Sequence, residues 1–460
     1  MYVADSRATR PSAENAVRPP AGRPPATGRP SATGRRRAAL APTVLALGTV
    51  SLVTDVSSEM VTAVLPLYLV TGLGLSPLGF GLLDGVYNGF SALVRLLGGH
   101  LADRGGGRHK WVAGFGYAVS AACKPLLLLA HTLTPIGLIL AADRTGKGLR
   151  TAPRDALISL SSTPETRGRA FGVHRAMDTA GALFGPLVAF LILRATVDGY
   201  DAVFTVSFCV AVAGVLVLVL FVPGSPAGGT RGSRTTGTEG SQTAGTGGSQ
   251  TAGNRSSQGT DRPTLRAAVR LLRHRHLSRI ALCALLLGLA TVSDSFVYLL
   301  LQRRLGVSDR WFALLPLGTA AAFLLLAVPL GRLADRVGRW TVFLAGHGAL
   351  LLAYAFLLTS WHGTALPYAV LALHGGFYAA TDGVLMAAAS DGVPEALRSS
   401  GLAVVQTGQA LARFACSLLF GAAWTVWGDR AALAGATVAL AACAAFSLTL
   451  ALRPKGPGPA

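Results

Sequence analysis

Apolar runs of about 20 residues recur along most of this chain, and each is long enough to cross a bilayer as a helix. Backbone polar groups inside a bilayer must find their partners within the chain, so runs of this kind fold as helices. The runs fall near 41–70, 77–97, 111–131, 134–160, 169–193, 202–222, 279–301, 311–330, 340–360, 366–390, 401–427 and 431–452. We therefore expect an all-α, polytopic membrane protein with about twelve transmembrane helices.

Composition agrees with this expectation and excludes other classes. Only 13% of the 460 residues are charged, whereas a soluble chain carries about 25%. The net charge of +20 is concentrated in terminal, linker and loop segments, which leaves no basic folded module for nucleic acid, so we expect no nucleic-acid partner. The five cysteines lie in apolar runs without metal-binding spacing, so we expect neither a disulfide framework, nor a metal site, nor a cofactor.

Segments between the apolar runs divide the chain into two halves. The polar stretch 223–263 is rich in Gly, Thr and Ser, which is typical of a flexible linker. Basic loop residues lie mostly on one side, which places both termini in the cytoplasm of a multi-pass plasma-membrane protein, with Arg303 and Arg304 as the exception. The expected order is a disordered cytoplasmic tail 1–37, an N-terminal bundle 38–222, the linker 223–263, a basic amphipathic surface helix 264–278, a C-terminal bundle 279–452 and a cytoplasmic tail 453–460.

The fourth run contains a row of charges that must avoid lipid. Each charge costs at least a few kcal/mol in a bilayer core, so the row should face protein, water or substrate. On a helical wheel one narrow face carries Asp143, Lys147, Arg150 and Arg154, and a neighbouring face carries Arg144 and Asp155. Arg144 falls about 14 Å below Pro135 and is predicted to serve substrate or proton linkage. Arg154 and Asp155 flank a break expected at Pro153 and are predicted to belong to a cytoplasmic gate.

Carboxylates in two other runs are candidates for proton coupling. Asp55 and Glu59 share one face of the first run, and Asp178 follows His174 and Arg175 in the fifth. A buried carboxylate is a plausible proton carrier. Permanent pairing with a basic residue, or capping of a broken helix, would explain Asp55 and Glu59 equally simply. We predict proton coupling at Asp55, Glu59, His174 and Asp178.

The remaining deep charges are candidates for the substrate path. The N-terminal half has as many deep acids as deep bases, which favours a paired network over a cationic hole. The C-terminal half has fewer such groups and is expected mainly to shape the cavity. The predicted path residues are Lys124, Arg144, Lys147, Arg150, Arg175, Asp294, Asp382 and Arg413.

A short internal repeat relates the two halves. The pattern G-x-L-A-D-R, followed by glycine and a basic residue, occurs between the second and third runs and again between the eighth and ninth. We predict that these two loops hold the cytoplasmic gate. Its residues are Gly99, Asp103, Arg104 and Arg108 in the first copy, and Gly331, Asp335, Arg336 and Arg339 in the second.

With these motifs the sequence resembles the major facilitator superfamily (MFS) from about 40 to 452. The repeated pattern is similar to the family's loop 2–3 signature, although Trp340 replaces a basic residue and glycines precede Arg108. The segment 140–148 resembles the family's R-x-x-x-G signature, with Lys147 where glutamine is common. Gly181, Gly185 and Pro186 form a Gly-x-x-x-Gly-Pro motif similar to that of drug–proton antiporters, and they also fit close helix packing. Segments 144–156 and 171–178 resemble a largely uncharacterised prokaryotic branch.

The resemblance implies two pseudo-symmetric six-helix bundles and transport by alternating access. The leading hypothesis is a proton-coupled carrier of a small organic solute, with export favoured by the Gly-Pro motif. Proton-driven uptake of an anionic metabolite or metal chelate is one alternative, and a transport-inactive sensor or scaffold is another. The sequence has no compact nucleophile–base or metal set and no complete phosphate loop, so we expect neither an enzyme nor an ATP-driven pump. Its expected partners are a solute, protons and lipid, and it is expected to act as a monomer.

Overall fold

A computed structural model describes residues 41–104, 109–163, 166–197, 199–223, 275–359, 363–391 and 398–452. All regular structure in these residues is helical, which confirms the all-α class. The helices are α1 (Pro42–Leu67, continued by a π-helical turn Tyr68–Gly72), α2 (Pro77–Arg104), α3 (His109–Leu129), α4 (Leu133–Leu160), α5 (Arg167–Ala195), α6 (Gly199–Phe221), α7 (Arg275–Ala290), α8 (Asp294–Leu305), α9 (Asp309–Phe312), α10 (Leu315–Val337), α11 (Arg339–Leu358), α12 (Leu366–Asp391) and α13 (Arg398–Leu452).

The helices have the lengths and surfaces of membrane spans. Within the described ranges, nine helical stretches are long and apolar enough to cross a bilayer, by length and composition alone. Leu129, Leu220 and Leu325 are among the large apolar side chains that lie more than 70% exposed, as lipid-facing residues do. The polytopic membrane fold is therefore confirmed, whereas the count of about twelve spans stays a prediction.

Several helix boundaries differ from the predicted ones. Both copies of the G-x-L-A-D-R pattern lie in the ends of helices, because α2 continues to Arg104 and α10 to Val337. The pattern contains Leu, Ala and Arg, which are good helix formers, so the helices extend into the predicted loops. The predicted break at Pro153 is wrong, because α4 is continuous to Leu160. A proline removes only one intrahelical hydrogen bond, and ion pairs hold the charged turns on both sides of it.

Non-helical residues lie inside the seventh run and between the eleventh and twelfth runs. The seventh run is divided into α7 and α8 by three non-helical residues, Thr291–Ser293. The eleventh and twelfth runs form two helical parts of α13, which are separated by a kink at Gly428. Gly428 has φ 83° and ψ 168°, a backbone conformation that favours glycine.

Helix packing defines two halves. In the first half α1 packs against α5 and α6, and α4 packs against α2 and α3. In the second half α12 packs against α10 and α11, and α13 packs against α7. The main contact between the halves is α2 against α13. A Cβ atom on Gly421 of α13 would lie 2.5 Å from the carbonyl oxygen of Pro77, so glycine is required for this close approach.

The contacts between the halves are concentrated near one end of the molecule. We call the end where α1 meets α2 the α1–α2 end, and the opposite end the α2–α3 end. Near the α1–α2 end the Leu78 amide donates to Thr425 Oγ1 at 2.9 Å. The rings of Phe80 and Phe296 also meet edge to face, with centroids 4.9 Å apart. One buried polar contact joins the halves there, since Ser417 Oγ donates to Asp84 Oδ2 at 2.7 Å.

The unexpected basic pair after the seventh run has local partners. Arg304 Nε lies 3.2 Å from Asp429 Oδ2, and its Nη1 donates to the Leu357 carbonyl at the end of α11. The Arg303 guanidinium lies 5.4 Å from the centre of the Trp424 ring. A cation is favourable at a helix C-terminus, so this pair stabilises helix ends at the α1–α2 end.

Candidate functional site: a central cavity and a charge network

The charged row of α4 is paired with carboxylates on two neighbouring helices. Arg150 Nη2 lies 3.2 Å from Asp55 Oδ1, and Lys147 Nζ lies 3.6 Å from Glu59 Oε1, both on α1. One turn further on, Arg154 Nη1 lies 3.6 Å from Asp178 Oδ1 on α5. Because opposite charges within 4 Å compensate each other, the row faces protein as expected.

The same helix forms a second cluster with α3 and α2. Asp143 accepts hydrogen bonds from Ser120 Oγ at 2.5 Å and from Arg144 Nη2 at 2.9 Å, and Lys124 Nζ lies 3.9 Å away. The Arg144 guanidinium lies 3.7 Å from the centre of the Tyr87 ring, close enough for a cation–π contact. Arg144 and Lys124 are thus held inside the first half of the molecule.

The α5 candidates also have partners on α1 and α4, which spacing within α5 did not identify. Asp178 contacts Arg154 and also Arg175, whose Nη1 lies 3.5 Å from Asp178 Oδ2. His174 turns to α1 instead, with Nε2 2.9 Å from Ser51 Oγ, and Arg154 also donates to this hydroxyl at 3.2 Å. Ser51 therefore joins His174 to the α4 row.

The ion pairs differ strongly in burial. The Asp55 and Arg150 side chains are 12% and 3% exposed, whereas those of Glu59 and Lys147 are 27% and 33% exposed. The first pair is sealed between α1 and α4. The second pair is reached by solvent, and of the four predicted coupling residues Glu59 alone lines the central cavity.

A cavity of about 390 Å³ lies between the two halves. Typical sites for small molecules have about 300–1,000 Å³ and combine apolar walls with a few polar groups. Most of the wall comes from the second half. The lining residues are Glu59, Thr62, Pro66, Tyr87, Asn88, Thr291, Val292, Ser293, Asp294, Ser295, Tyr298, Pro316, Thr319, Ala320, Phe323, Tyr378, Asp382 and Arg413.

The cavity separates the predicted path residues into two groups. Asp294, Asp382 and Arg413 line it, and Lys147 reaches its edge through Glu59. The other predicted path residues do not line it, namely Lys124, Arg144, Arg150 and Arg175. Lys124 and Arg144 instead border a separate space of about 10 Å³, too small for a solute.

The break between α7 and α8 forms one wall of the cavity. The Val292 amide donates to the Tyr354 hydroxyl at 2.9 Å, and Cys416 Sγ donates to the Thr291 carbonyl at 3.0 Å. These contacts satisfy backbone groups that an unbroken helix would pair internally. Asp294 follows the break in the first turn of α8, where a negative charge is favourable.

Asp294 lies at the centre of a group of polar side chains whose contacts could not be predicted from the sequence. The Tyr378 hydroxyl donates to Asp294 Oδ1, and His374 Nε2 lies 3.5 Å from the same oxygen. Tyr298 donates to Thr319 Oγ1 at 3.1 Å on the same wall. The sequence did contain one signal, the polar segment Thr291–Ser295 inside an apolar run. The tyrosines gave none, because isolated tyrosines in apolar runs usually only pack.

The predicted gate residues are only partly placed. In the second copy of the repeat Arg339 Nη2 lies 3.9 Å from Asp335 Oδ1, and Arg336 is exposed beyond them. Arg154 Nη2 lies 3.1 Å from Asp155 Oδ1. In the first copy, Gly99, Asp103 and Arg104 are placed only as backbone of α2, and Arg108 lies outside the described residues. The gate therefore stays a prediction.

The small residues of α5 lie where α1 approaches most closely. A Cβ atom on Gly185 would lie 2.7 Å from Glu59 Cβ and 2.8 Å from the Val56 carbonyl oxygen. One on Gly181 would overlap with the Leu52 carbonyl, and Pro186 is buried beside them. This geometry is that of a helix-packing contact, and it holds Glu59 against the Gly-Pro motif.

An all-α membrane fold with a solute-sized cavity between two helical halves defines a membrane transport protein. Residues 47–417 match the family model described as Major Facilitator Superfamily. The chain belongs to this superfamily.

Three similar proteins illustrate the relationship. The chain is 28% identical over 411 residues to an uncharacterized MFS-type transporter of Methanocaldococcus jannaschii, an alignment that covers 87% of this chain and 93% of that one. The fold is similar to that of the nucleoside transporter NupG, with a TM-score of 0.72, 12% identity, and coverage of 90% of this chain and 100% of that one. It is also similar to an inward-facing, unoccupied bacterial homologue of the human lysosomal transporter Spinster, with a TM-score of 0.68, 16% identity, and coverage of 90% and 98%.

Proposed function

We propose that this protein is a proton-coupled secondary transporter that moves a small organic solute across the plasma membrane by alternating access. It would act as a monomer with both termini in the cytoplasm, and without a cofactor or enzymatic step. The observation that carries the proposal is the central cavity, because both halves line it and the partly exposed Glu59–Lys147 ion pair lies on its wall. A proton that reaches this cavity meets the carboxylate of Glu59, whose partner Lys147 lies on the same helix as Arg150 of the buried Asp55–Arg150 pair.

The coupling step would be an exchange of ion pairs along α4. Protonation of Glu59 removes the charge that holds Lys147, whose Nζ lies 3.6 Å away. Arg150 lies about one turn further along α4, paired with Asp55. An uncompensated Lys147 would compete for Asp55, and a change in that pair would reach Arg154, Asp178 and the Ser51–His174 contact. Because unpaired buried charges are costly, each protonation state favours a different arrangement of α1, α4 and α5.

We further propose that the structure represents an inward-facing state, with the α2–α3 end in the cytoplasm. The α2–α13 seam and the Phe80–Phe296 contact close the α1–α2 end. Toward the α2–α3 end the charged side chains of Asp155 and Arg175 are 44% and 65% exposed. The similar Spinster homologue is described as inward-facing, which supports this assignment.

The two transport hypotheses differ in the direction in which the solute moves. Export by antiport is favoured by the Gly-Pro motif, because Gly185 packs against α1 at Glu59, where a Cβ atom would lie 2.7 Å from Glu59 Cβ. Uptake of an anionic metabolite or metal chelate is less favoured, since the α4 cations required for it are held by Asp55, Asp143 and Asp178. A sensor or scaffold would bind a ligand without moving it.

The proposal is tested in proteoliposomes that contain a pH-sensitive dye and the purified full-length chain. A solute that is transported should drive proton movement in the opposite direction for antiport and in the same direction for symport. Glu59→Gln and Asp55→Asn should each lower coupled proton flux by about tenfold or more, because each removes a carboxylate that pairs with the charged row of α4. Asp201→Asn, at an exposed carboxylate in the first turn of α6, is the matched control and should leave flux unchanged. Unaltered flux and pH dependence in both α1 variants would show that the coupling assignment is wrong.

A further inference from the structure

We propose that the transported solute is an organic cation, whose ammonium group binds between Asp294 and Asp382 in the cavity. This inference rests on the proposed transport function, and it names the chemical class that the site accepts.

The charges that line the cavity do not balance. The lining contains three carboxylates, Glu59, Asp294 and Asp382, and one guanidinium, Arg413. Glu59 is matched by Lys147 at 3.6 Å, which leaves two carboxylates facing one guanidinium. A cavity between membrane helices stabilises an excess negative charge poorly, so a positive group supplied by the solute would compensate it.

The basic residues of the first half are not available to reverse this balance. Arg150 and Arg154 are paired with Asp55 and Asp178, and Arg144 lies between Asp143 and the Tyr87 ring. None of these three guanidinium groups lines the cavity. An anionic solute would therefore meet Arg413 together with two carboxylates, and would be repelled by more charges than attract it.

The broken span adds a further preference for a cation. The C-terminal end of α7, at Ala290, carries the partial negative charge of a helix C-terminus toward the segment Thr291–Ser293 that lines the cavity. The N-terminal end of α8 has the opposite sign, but its first turn is already occupied by the carboxylate of Asp294. The break thus places the negative end of α7 and the carboxylate of Asp294 at the cavity wall.

Aromatic rings complete a site of this class. Tyr298, Phe323 and Tyr378 line the same cavity, and aromatic faces attract ammonium groups. The Tyr378 hydroxyl donates to Asp294 Oδ1, which orients the carboxylate at the cavity wall. His374 lies 3.5 Å from Asp294 on the protein side and does not line the cavity.

The test compares three solutes of nearly equal shape, namely phenethylamine, 2-phenylethanol and 3-phenylpropanoate. Binding to the full-length chain in nanodiscs is measured by calorimetry and by thermal stabilisation. The amine should bind saturably, and the alcohol and the carboxylate should bind at least about 30-fold more weakly, since they lack the charge that pairs with the two aspartates.

Single substitutions test the contribution of each charged side chain of the second half to amine binding. Asp382→Asn and Asp294→Asn should each weaken amine binding by about 30-fold or more, because each removes a desolvated charge partner. Arg413→Gln should bind the amine as well as or better than the wild type, since a repelling charge is lost. Asp201→Asn should bind like the wild type. Asp382 is exposed to the cavity, so Asp382→Asn should fold normally and decides the result if Asp294→Asn does not fold.

The outcomes distinguish this inference from the proposed function. Absence of amine binding, preferential binding of the carboxylate, or unchanged amine binding in Asp382→Asn would overturn the inference. If coupled flux in proteoliposomes then occurs with neutral or anionic solutes, the transport function stands without it. If the amine binds as expected but no variant or condition gives flux, the site is correct and the proposed transport function is wrong.

Discussion

At the scale of single residues, the two ion pairs between α1 and α4 have the same chemistry but different surroundings. The Asp55–Arg150 pair is almost completely enclosed, whereas Glu59–Lys147 reaches the cavity. Burial decides what such a pair contributes. Removal of one partner leaves an uncompensated charge only where solvent cannot replace it.

This difference predicts unequal effects on stability. Asp55→Asn should lower the free energy of unfolding by about 3–5 kcal/mol, because Arg150 remains buried without its carboxylate. Glu59→Gln should lower it by about 1 kcal/mol or less, because Lys147 stays partly solvated. The measurement is equilibrium unfolding of both variants in the same mixed micelles. Equal losses would contradict the burial argument, and recovery of stability in Asp55→Asn/Arg150→Gln would support it.

The sequence identified these charges but not their partners. Helical spacing placed Asp143, Lys147, Arg150 and Arg154 on one face, and this face meets protein, as expected from the cost of charge in lipid. Spacing within one helix contains no information about which helix lies opposite. For that reason the link from His174 to Ser51, and the enclosure of Arg144 by Tyr87, became visible only in the folded structure.

At the scale of helices, the break in the seventh run depends on a few hydrogen bonds. Tyr354, fully buried on α11, accepts the Val292 amide that the break leaves without a helical partner. Tyr354→Phe should therefore lower the free energy of unfolding by about 1–3 kcal/mol, the penalty for a buried unsatisfied amide. Tyr368→Phe, at a tyrosine that is 75% exposed, is the matched control and should have no measurable effect. A similar stability for both variants would mean that the break does not need this hydroxyl.

The seam between α2 and α13 predicts a conformational effect. A side chain at Gly421 would collide with the backbone at Pro77, so Gly421→Leu should prevent the α1–α2 end from closing. In a cysteine-free background, Phe296→Cys in the adjacent aromatic cluster should then react several-fold faster with an impermeant maleimide applied to that side.

Gly435→Leu provides the control for that experiment. Gly435 lies in α13 beyond the kink at Gly428, and a Cβ atom there would meet nothing within 4 Å. Reactivity at Phe296→Cys should stay low in this variant. Equal reactivity in both glycine variants would mean that the seam does not control access from the α1–α2 end.

Hydropathy predicted the position of most helices but not all of their boundaries. Apolar runs located most spans within a few residues, because burial in lipid acts on whole segments. They did not reveal the three-residue break before Asp294, since an averaging window passes over so short an interruption. They also ended α2 and α10 too early, because a polar helix end continues beyond the apolar core.

At the scale of the whole molecule, the two halves contribute differently. The first half holds most of the ion-paired network, and the second half supplies most of the cavity wall. The sequence predicted the first part from its charges. It could not predict the second, since the wall consists largely of Thr, Ser, Tyr and Phe side chains that resemble packing residues until helices are placed around them.

Proton-coupled alternating access requires that protonation of a cavity carboxylate changes which end of the molecule is closed. This is tested directly by spin-label distances in nanodiscs, without knowledge of the solute. One pair, Val197 and Trp311, lies across the halves at the α1–α2 end, and a second pair, Thr163 and Val337, lies across them at the α2–α3 end. All four positions are exposed, and the label at Trp311 replaces a ring that packs 5.1 Å from that of Phe190.

We predict reciprocal changes in the two distances. Acidification of the wild type should add a population in which the Val197–Trp311 distance is longer and the Thr163–Val337 distance is shorter. Glu59→Gln, which imitates the protonated carboxyl group, should show that population already at neutral pH, whereas Asp201→Asn should behave like the wild type. Distances that do not respond to pH or to Glu59→Gln, or that lengthen together at both ends, would contradict proton-coupled alternating access.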